Sequence, residues 1–420
     1  MLNNFLSELA GLAELNPISL VIVMAAFTLT LLGIFSNIPP LVRIFRRKTT
    51  SQILMTDPYQ LDTNGIENRN NTLVEITRFA KELEQQGHYE MANRLYTIAL
   101  NSTHEGQVRN IRAGLLSDIG ILETQMGEYD EAEKLLQESL ALTDVIADRR
   151  PTLNNLALIY SSQGKYNQAL SVLQTIQTDL IEEGEQDSPH FATVLSNLAG
   201  ILTDMGRHEE AEPLYHQAIE TERKTIGEDN PSFATSLNNL AGLYEAMGRY
   251  AEAEPLYHQA IEIGRRTIGE VHPDFAKHLN NLAGLYRAMG RYDAAEPLYN
   301  QAIQITRKTI GEDHPNFAKG LSNLAGLYQD MGRYAEAEPL FHQAIEITRK
   351  MTGEDHPDFS KCLNNLGVLY CYQERFFEAA PLLRRALVIR EAKLPKGHPD
   401  TERTRQSLEN LYAEHPELRD

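Results

Sequence analysis

From residue 155 onward the chain carries a row of asparagines at a constant interval of 42 residues, each directly before a Leu-Ala or Leu-Gly pair. The row consists of Asn155, Asn197, Asn239, Asn281, Asn323 and Asn365. An asparagine amide both donates and accepts hydrogen bonds, so amides repeated in register could hold the backbone of an extended peptide. The alternative use of the same groups is to join neighbouring helices to each other.

Lysine stands four residues before the last three of these asparagines, at Lys277, Lys319 and Lys361. This spacing is close to one helical turn, so each lysine shares a helix face with its asparagine. With Arg287 nearby, they predict a local positive region suited to acidic side chains or to a C-terminal carboxylate. The alternative is that they are solvated lysines on an exposed helix. Three acidic residues on the same side would weaken the field: Asp204, Glu245 and Asp330.

The elements that must position these residues repeat at the same interval. The central copy runs from His272 to Asp313 and contains two amphipathic patterns divided by Gly290-Arg291-Tyr292. Apolar residues recur at helical spacing in both patterns, at Leu279, Leu282, Ala283 and Tyr286 in the first and at Ala295, Leu298, Tyr299 and Ala302 in the second. A single hairpin cannot bury both apolar stripes, so the pattern predicts hairpins stacked into a solenoid.

This order of residues resembles the tetratricopeptide repeat family. The resemblance rests on Leu-x2-Leu-Ala-x2-Tyr-x3-Gly-x-Tyr-x2-Ala-x3-Tyr-x2-Ala, which the central copy supplies from Leu279 to Ala302. The usual unit has about 34 residues, and the longer connection here, Ile-Gly-Glu-Asp-His-Pro, resembles the kinesin-light-chain type. The resemblance implies an all-α, right-handed solenoid of about eight helix-turn-helix repeats, closed by a C-terminal capping helix that begins at His398-Pro399.

The family resemblance also implies where a ligand would bind. In such solenoids the first helix of each repeat lines a concave face, which places the asparagine row and the three lysines in a peptide-binding groove. The Lys-x3-Asn pairs are similar to the carboxylate-clamp arrangement of related repeats. Glycines inside the first helices, at Gly200, Gly242, Gly284 and Gly326, predict either close approach of a ligand backbone or unusually close helix packing.

Catalysis and cofactors find no support in the sequence. The repeat histidines His272, His314, His356 and His398 occur once per repeat, too far apart for a shared metal ion. No phosphate-binding glycine loop or nucleophile motif is present, so we expect no enzyme and no cofactor. A net charge of -19 argues against nucleic acid as a partner. The two cysteines, Cys362 and Cys371, would lie about 13 Å apart along one helix, too far for a disulfide.

The N-terminal part predicts a membrane anchor. Residues 18–36 form an uncharged apolar run of 19 residues, long enough to cross a hydrocarbon core of about 30 Å. The alternative is a cleaved signal peptide, but no Lys or Arg precedes the run and no A-x-A site follows it. Basic residues follow the run, at Arg43, Arg46, Arg47 and Lys48, so we expect the N-terminus outside and the repeats in the cytoplasm.

The sequence therefore predicts five segments: an extracytoplasmic tail (1–17), a transmembrane helix (18–36), a basic juxtamembrane linker (37–68), the solenoid (69–397) and a capping helix (398–420). The expected function is that of a membrane-anchored adaptor that binds peptide or protein segments in its concave groove. Two alternatives remain open: an assembly factor for a membrane complex, and a regulatory subunit of a separate enzyme. The lipid bilayer is the other expected partner.

Overall fold

The computed structural model describes residues 74, 76–84, 89–101, 103, 109–394 and 396–419. Within these residues there are 17 α-helices in successive pairs and no strand, which confirms the predicted all-α solenoid of hairpins. The predicted tail, transmembrane helix and linker (1–17, 18–36 and 37–68) lie outside the described residues. None of the helices that the structure describes is long and apolar enough to cross a bilayer.

Odd-numbered helices are the first helices of the repeats and even-numbered helices are the second. The helices are α1 (76–84), α2 (Tyr89–Asn101), α3 (Arg109–Gln125), α4 (Tyr129–Leu142), α5 (Ile146–Ser162), α6 (Tyr166–Glu182), α7 (Pro189–Asp204), α8 (His208–Thr225), α9 (Pro231–Ala246), α10 (Tyr250–Thr267), α11 (Pro273–Ala288), α12 (Tyr292–Thr309), α13 (Pro315–Asp330), α14 (Tyr334–Thr352), α15 (Pro357–Tyr372), α16 (Phe376–Lys393) and α17 (Pro399–Glu414).

A tight turn joins the two helices of each repeat. Gly290 has φ +71°, a left-handed conformation in which glycine has no steric penalty. Its N–H donates to the carbonyl of Arg287 at 3.0 Å and the Arg291 N–H donates to Tyr286 at 2.8 Å, so the free carbonyls at the end of α11 are satisfied. In the eighth repeat Glu374 adopts the same conformation, with φ +59°.

From α7 onward the first helices and the capping helix α17 begin at Pro residues that follow capping side chains. The Nδ1 atom of His272 accepts a hydrogen bond from the Asp274 N–H at 3.2 Å, and Nδ1 of His314 accepts from Asn316 at 3.0 Å. In the fifth repeat Asn230 has the same role, accepting from Ser232 at 2.9 Å. A cap satisfies one N–H that the helix itself cannot pair. The recurring histidines therefore have a structural use.

The solenoid core is continuous from repeat to repeat. The largest fully buried side chains include Phe191, Phe233, Phe275 and Phe317, one from each successive first helix. First helices also contact one another along the solenoid, as in α9 with α11 and α13 with α15, whereas second helices contact mainly first helices. The first helices therefore lie on the inner side, where the spacing between repeats is smaller. At the C-terminal end Leu408 and Leu411 of α17 are buried.

Candidate functional site

The ten predicted site residues all lie on first helices, from α5 to α15. We call the surface that these helices present on the inner side of the solenoid the inner groove. Every member of the asparagine row is partly buried, and the three lysines are exposed. The inner groove therefore has partly covered amides along its length and charged groups in its C-terminal half.

Three asparagines of the row join successive repeats. The Nδ2 atom of Asn197 donates to the side-chain oxygen of Asn154 at 2.6 Å. Asn281 donates in the same way to Asn238 at 3.2 Å, and Asn323 donates to Asn280 at 2.9 Å. Each acceptor belongs to the preceding repeat, so these amides form the helix-to-helix links that the sequence left open as an alternative.

The other three asparagines lack this link for a chemical reason. The acceptor position of the preceding repeat is serine instead of asparagine, at Ser117, Ser196 and Ser322. The Oγ atom of Ser322 does reach the next repeat, but it contacts Cys362 Sγ at 3.9 Å and not the asparagine. No hydrogen bond involves the side chains of Asn155, Asn239 or Asn365 within the described part of the chain, and the Oγ of Ser196 is buried without a partner.

Linked and unlinked asparagines offer different groups to a ligand. A linked asparagine uses its N–H2 group within the protein and keeps its side-chain oxygen as an acceptor. An unlinked asparagine keeps both a donor and an acceptor. The links also fix the orientation of the amide before any ligand arrives, which lowers the entropy cost of binding. Binding of a peptide backbone by this row remains a prediction.

The three lysines differ in their ion pairs. The Nζ atom of Lys277 lies 2.6 Å from Asp274, one helical turn before it. Asn316 takes the place of this aspartate before Lys319, and Asp358 occupies it before Lys361. Neither Lys319 nor Lys361 forms an ion pair with any described residue. Two uncompensated ammonium groups therefore lie on neighbouring helices, α13 and α15.

The lysines are close enough to influence each other. Surrounding protein partly removes water from Lys319 and lowers the pKa of its ammonium group, and the like charges of Lys361 and Lys277 lower it further, against the opposing charge of Asp358. Lys319 is nevertheless exposed, because a group in a concave surface can be accessible and still have protein on several sides. An anionic ligand would relieve this repulsion.

Arg287 does not add a free charge to this region. Its Nε atom lies 2.5 Å from the Asp330 carboxylate on the next first helix. The guanidinium group extends over Gly326, where a Cβ atom would lie 2.7 Å from Nη1. Glycine at this position therefore makes room for Arg287, and the ion pair closes one side of the inner groove between α11 and α13.

The other helical glycines leave open space in the groove. At Gly200 and Gly242 an added Cβ would meet only the hydroxyl groups of Tyr215 and Tyr257, at an ordinary 3.6 Å. Close helix packing therefore does not require glycine at either position, which leaves approach of a ligand as the better explanation. The two glycines line a recess of about 240 Å³ together with Thr203, Asp204, Tyr215, Asn238, Asn239, Leu243, Tyr257 and Asn281.

The recess gives the middle of the groove an acidic character. Burial raises the pKa of Asp204, and no described residue forms an ion pair with it. Burial also raises the pKa of Glu245, against a hydrogen bond from the Tyr257 hydroxyl at 2.9 Å. Charge along the inner groove therefore changes from acidic in the fourth and fifth repeats to basic in the seventh and eighth.

Groups with potential reactivity are protected. Cys362 and Cys371 are both free thiols, and burial raises the pKa of each. Both therefore stay largely protonated at neutral pH, and the thiol is the unreactive form. Among the described residues no group of three or more His, Cys, Asp or Glu side chains could hold a metal ion.

Sequence reasoning missed a set of clasps on the side of the solenoid opposite the site. In the fifth to eighth repeats the arginine after the turn residue pairs with a glutamate of the preceding second helix, as in Arg249 Nη1 to Glu212 at 2.8 Å. The same glutamate accepts from the Tyr244 hydroxyl at 2.9 Å, and the Arg249 guanidinium lies 4.1 Å from the centre of the Tyr244 ring. The constant 37-residue separation of arginine and glutamate is the sequence feature from which these pairs could have been predicted.

Comparison with known families identifies the fold. A family model described as tetratricopeptide repeat matches residues 112–176, 190–266, 232–308, 274–350 and 316–392, which together make up more than half of the chain. The chain therefore belongs to the tetratricopeptide repeat family, as the sequence predicted. Its solenoid is a fold that serves as a scaffold for protein or peptide partners and is typically not catalytic.

A comparison with solved structures gave several matches. A protein from Podosopora anserina described as a kinesin light chain with nearly identical TPR-like repeats is 29% identical, with a TM-score of 0.40, and the match covers 48% of this chain and 96% of that one. BtubC (BKLC) from P. vanneervenii is 23% identical with a TM-score of 0.42, covering 55% of this chain and 89% of that one. A Rap protein solved with competence and sporulation factor is 14% identical with a TM-score of 0.51, and the match covers 77% of this chain and 98% of that one. A search of curated proteins gave no match.

Proposed function

We propose that this protein is a membrane-anchored adaptor whose inner groove binds a linear peptide segment with acidic residues. The observation that carries the proposal is the pair of unpaired ammonium groups, Lys319 and Lys361, directly beside the asparagine row. Leaving two like charges together costs free energy in the empty protein, and an anionic ligand would recover it. The fold supports the proposal because tetratricopeptide solenoids bind protein or peptide partners.

The proposed mechanism divides recognition between two kinds of group. Asparagine oxygens accept hydrogen bonds from the peptide backbone, which gives affinity that depends little on peptide sequence. Lys319 and Lys361 select carboxylates, while Lys277 contributes less because Asp274 already neutralises it. The acidic recess around Asp204 disfavours anionic residues in the middle of the groove. The preferred segment therefore has its acidic residues at one end.

Selection of random peptides against the full-length protein tests this function. A displayed library of 12-residue peptides, about the length that a groove of several repeats could contact, is enriched on the wild type and on the variant Lys277→Glu/Lys319→Glu/Lys361→Glu. We expect acidic peptides from the wild type and their loss, by at least about tenfold, from the variant. A matched control reverses two exposed lysines of second helices, Lys224→Glu/Lys308→Glu, and should keep the wild-type selection.

Two results would contradict the function. Enrichment of the same acidic peptides on the triple variant would show that the lysines do not select them. Loss of enrichment on the control variant to the same degree would show that only net charge matters.

We further propose that residues 18–36 anchor the adaptor in a membrane with the repeats on the cytoplasmic side. The support is the uncharged 19-residue run and the basic residues that follow it. A fused C-terminal reporter that is active only outside the cytoplasm should be silent, and the protein should stay in the membrane fraction after alkaline carbonate washing. A strong reporter signal would show that the orientation is the opposite one. Release by carbonate would show that residues 18–36 do not anchor the protein.

A further inference from the structure

Two repeats that are far apart in the sequence contact each other directly. The Nε2 atom of His356, at the start of α15, lies 3.0 Å from the backbone oxygen of Gln125, 231 residues earlier. Nearby, Nζ of Lys393 lies 2.8 Å from the carboxylate of Glu128. The turn between α3 and α4 therefore touches both helices of the eighth repeat. We call these contacts of Gln125, Gly127 and Glu128 with His356 and Lys393 the seam.

A second contact of the same kind lies one repeat further along the chain. The turn glycine of the third repeat, Gly164, approaches the cap residue His398 so closely that a Cβ atom would lie 2.8 Å from its Cδ2. In both cases a turn meets the capping histidine found six repeats further along. The solenoid therefore completes one circuit and begins to stack on itself, so that the inner groove is enclosed.

The turn of the second repeat is adapted to this contact. A Cβ atom on Gly127 would lie 2.8 Å from His356 and 3.0 Å from Pro357, whereas the turn glycines Gly206 and Gly248 have nothing within 4 Å. Glu128 also departs from the later repeats, which have arginine after the turn glycine at Arg207, Arg249, Arg291, Arg333 and Arg375. An arginine at position 128 would face Lys393 with a like charge.

The hydrogen bonds of His356 specify its protonation state. Its Nδ1 atom accepts a hydrogen bond from the Asp358 N–H at 3.0 Å, as the cap of α15. Nδ1 is therefore the unprotonated nitrogen, and Nε2–H must donate to the Gln125 oxygen. A proton added to His356 would bind Nδ1 and remove the cap acceptor. Only the neutral imidazole can make both contacts, although the Nε2–H donor would remain after protonation, and only 6% of the His356 residue surface is exposed.

Several charges surround this imidazole. Burial lowers the pKa of His356, against the opposing charge of Asp358 and the hydrogen bond to the Gln125 oxygen, which both raise it. Lys393 of α16 lowers it further, and Glu128 on the facing turn raises it slightly. Burial, and to a smaller extent the charge of Asp358, raises the pKa of Tyr129 to about 12, so the phenol stays neutral at the seam. Because burial at the closed seam lowers the histidine pKa, closure is fully favoured above the pKa of a solvated histidine. It weakens as the pH falls from there toward the lowered value.

We propose that the seam is a pH-sensitive latch that closes the solenoid around the inner groove and releases at acidic pH. At neutral pH the His356 and Lys393 contacts hold the second repeat against the eighth. Below the pKa of a solvated histidine, one proton taken up from water on Nδ1 breaks the cap of α15. It also leaves a positive charge buried at the seam beside Lys393, and this unfavourable charge weakens the closed state. This device operates without any ligand, so it does not depend on the proposed function.

Distance measurement between spin labels tests the latch. Labels are attached to the full-length protein at two exposed positions, Gln137→Cys on α4 and Ala392→Cys on α16, with Cys362 and Cys371 changed to Ser. At about pH 7.5 we expect one short distance population. At about pH 5 a longer population should grow, because the ratio of open to closed protein can rise up to about tenfold per pH unit.

The variant His356→Asn separates the latch from helix capping. Asparagine caps α9 at the equivalent position, Asn230, so the helix start should survive while the Nε2–H donor and the titrating group are lost. We expect the longer distance already at neutral pH and little further change on acidification. The matched control His272→Asn alters a capping histidine of the sixth repeat and should behave like the wild type.

A charge exchange gives a second and independent test. Glu128→Lys should open the seam at neutral pH, and adding Lys393→Glu should close it again, because the ion pair is restored in reverse. The proposal is overturned if wild-type distances do not change between about pH 7.5 and pH 5. It is also overturned if His272→Asn opens the protein as much as His356→Asn does, or if the Glu128→Lys variant stays closed.

Discussion

Glu374 holds a backbone conformation that glycine holds in the other described turns, with φ +59°. A side chain in this left-handed region costs about 1 kcal/mol relative to glycine. The Glu374 side chain is exposed and makes no hydrogen bond or ion pair with any described residue, so nothing in the structure offsets the cost. The repeat geometry imposes this turn even where the sequence lacks glycine.

The first prediction concerns this residue. Glu374→Gly should raise the free energy of unfolding by about 1 kcal/mol, because glycine removes the steric cost without losing a contact. Urea denaturation followed by circular dichroism measures the change. Gly332→Glu, the reverse change in the seventh repeat, should lower stability by a similar amount. A destabilised Glu374→Gly variant would mean that the glutamate has a stabilising contact.

At the scale of elements, the asparagine row shows how neighbouring helices are held at a fixed distance. A side-chain hydrogen bond between asparagines joins α9 to α11 and α11 to α13, beside the core contacts that do most of the stabilising. Where serine replaces the acceptor, the same helices pack without it. These hydrogen bonds therefore affect the orientation of the amide side chains in the inner groove more than the stability of the protein.

Two members of the row form a matched pair for a second prediction. Asn281→Ser removes a hydrogen bond to the preceding repeat and should cost about 1 kcal/mol of unfolding free energy. Asn239→Ser removes no hydrogen bond and should change stability by less than about 0.5 kcal/mol. Thermal unfolding of both variants provides the comparison. Equal losses would show that the hydrogen bond to Asn238 contributes nothing.

For the whole molecule, closure at the seam depends on small residues in the right turns. Gly127 and Gly206 have similar φ values of +78° and +74°, so alanine imposes the same backbone strain at both. Only at Gly127 would the added Cβ also collide with His356 and Pro357.

The third prediction uses this difference. Gly206→Ala should destabilise the protein by about 1 kcal/mol without changing its shape, whereas Gly127→Ala should also enlarge its radius of gyration. Small-angle X-ray scattering of the full-length protein in detergent, with each variant compared with the wild type in the same detergent, measures the radius. If the radius of gyration of Gly127→Ala is unchanged, the seam contacts do not hold the solenoid closed.

Much of this arrangement could be predicted from the sequence because it is local. Helix pairs and turn glycines each depend on residues within a few positions of one another, so periodicity was enough to predict them. The ion pair of Lys277 with Asp274 is equally local, and it removes one of the predicted free charges.

The rest depends on geometry between repeats. The sequence shows whether serine or asparagine stands at the acceptor position. It does not show which residues face each other across adjacent helices, and the hydrogen bond cannot be predicted without this. The seam is harder still to predict, because contact between Gln125 and His356 results from small rotations summed over six repeats. Glu128 in place of arginine was the one local sign of it.

The central claim is that the inner groove, rather than the outer surface, binds the partner. Photo-crosslinking tests it most directly: an acidic peptide selected on the wild type carries a benzophenone group, and mass spectrometry locates the crosslinked residues on the full-length protein. The account predicts crosslinks on the first helices α11, α13 and α15, near Asn281, Asn323 and Lys361. Crosslinks confined to second helices such as α12 and α14 would contradict it.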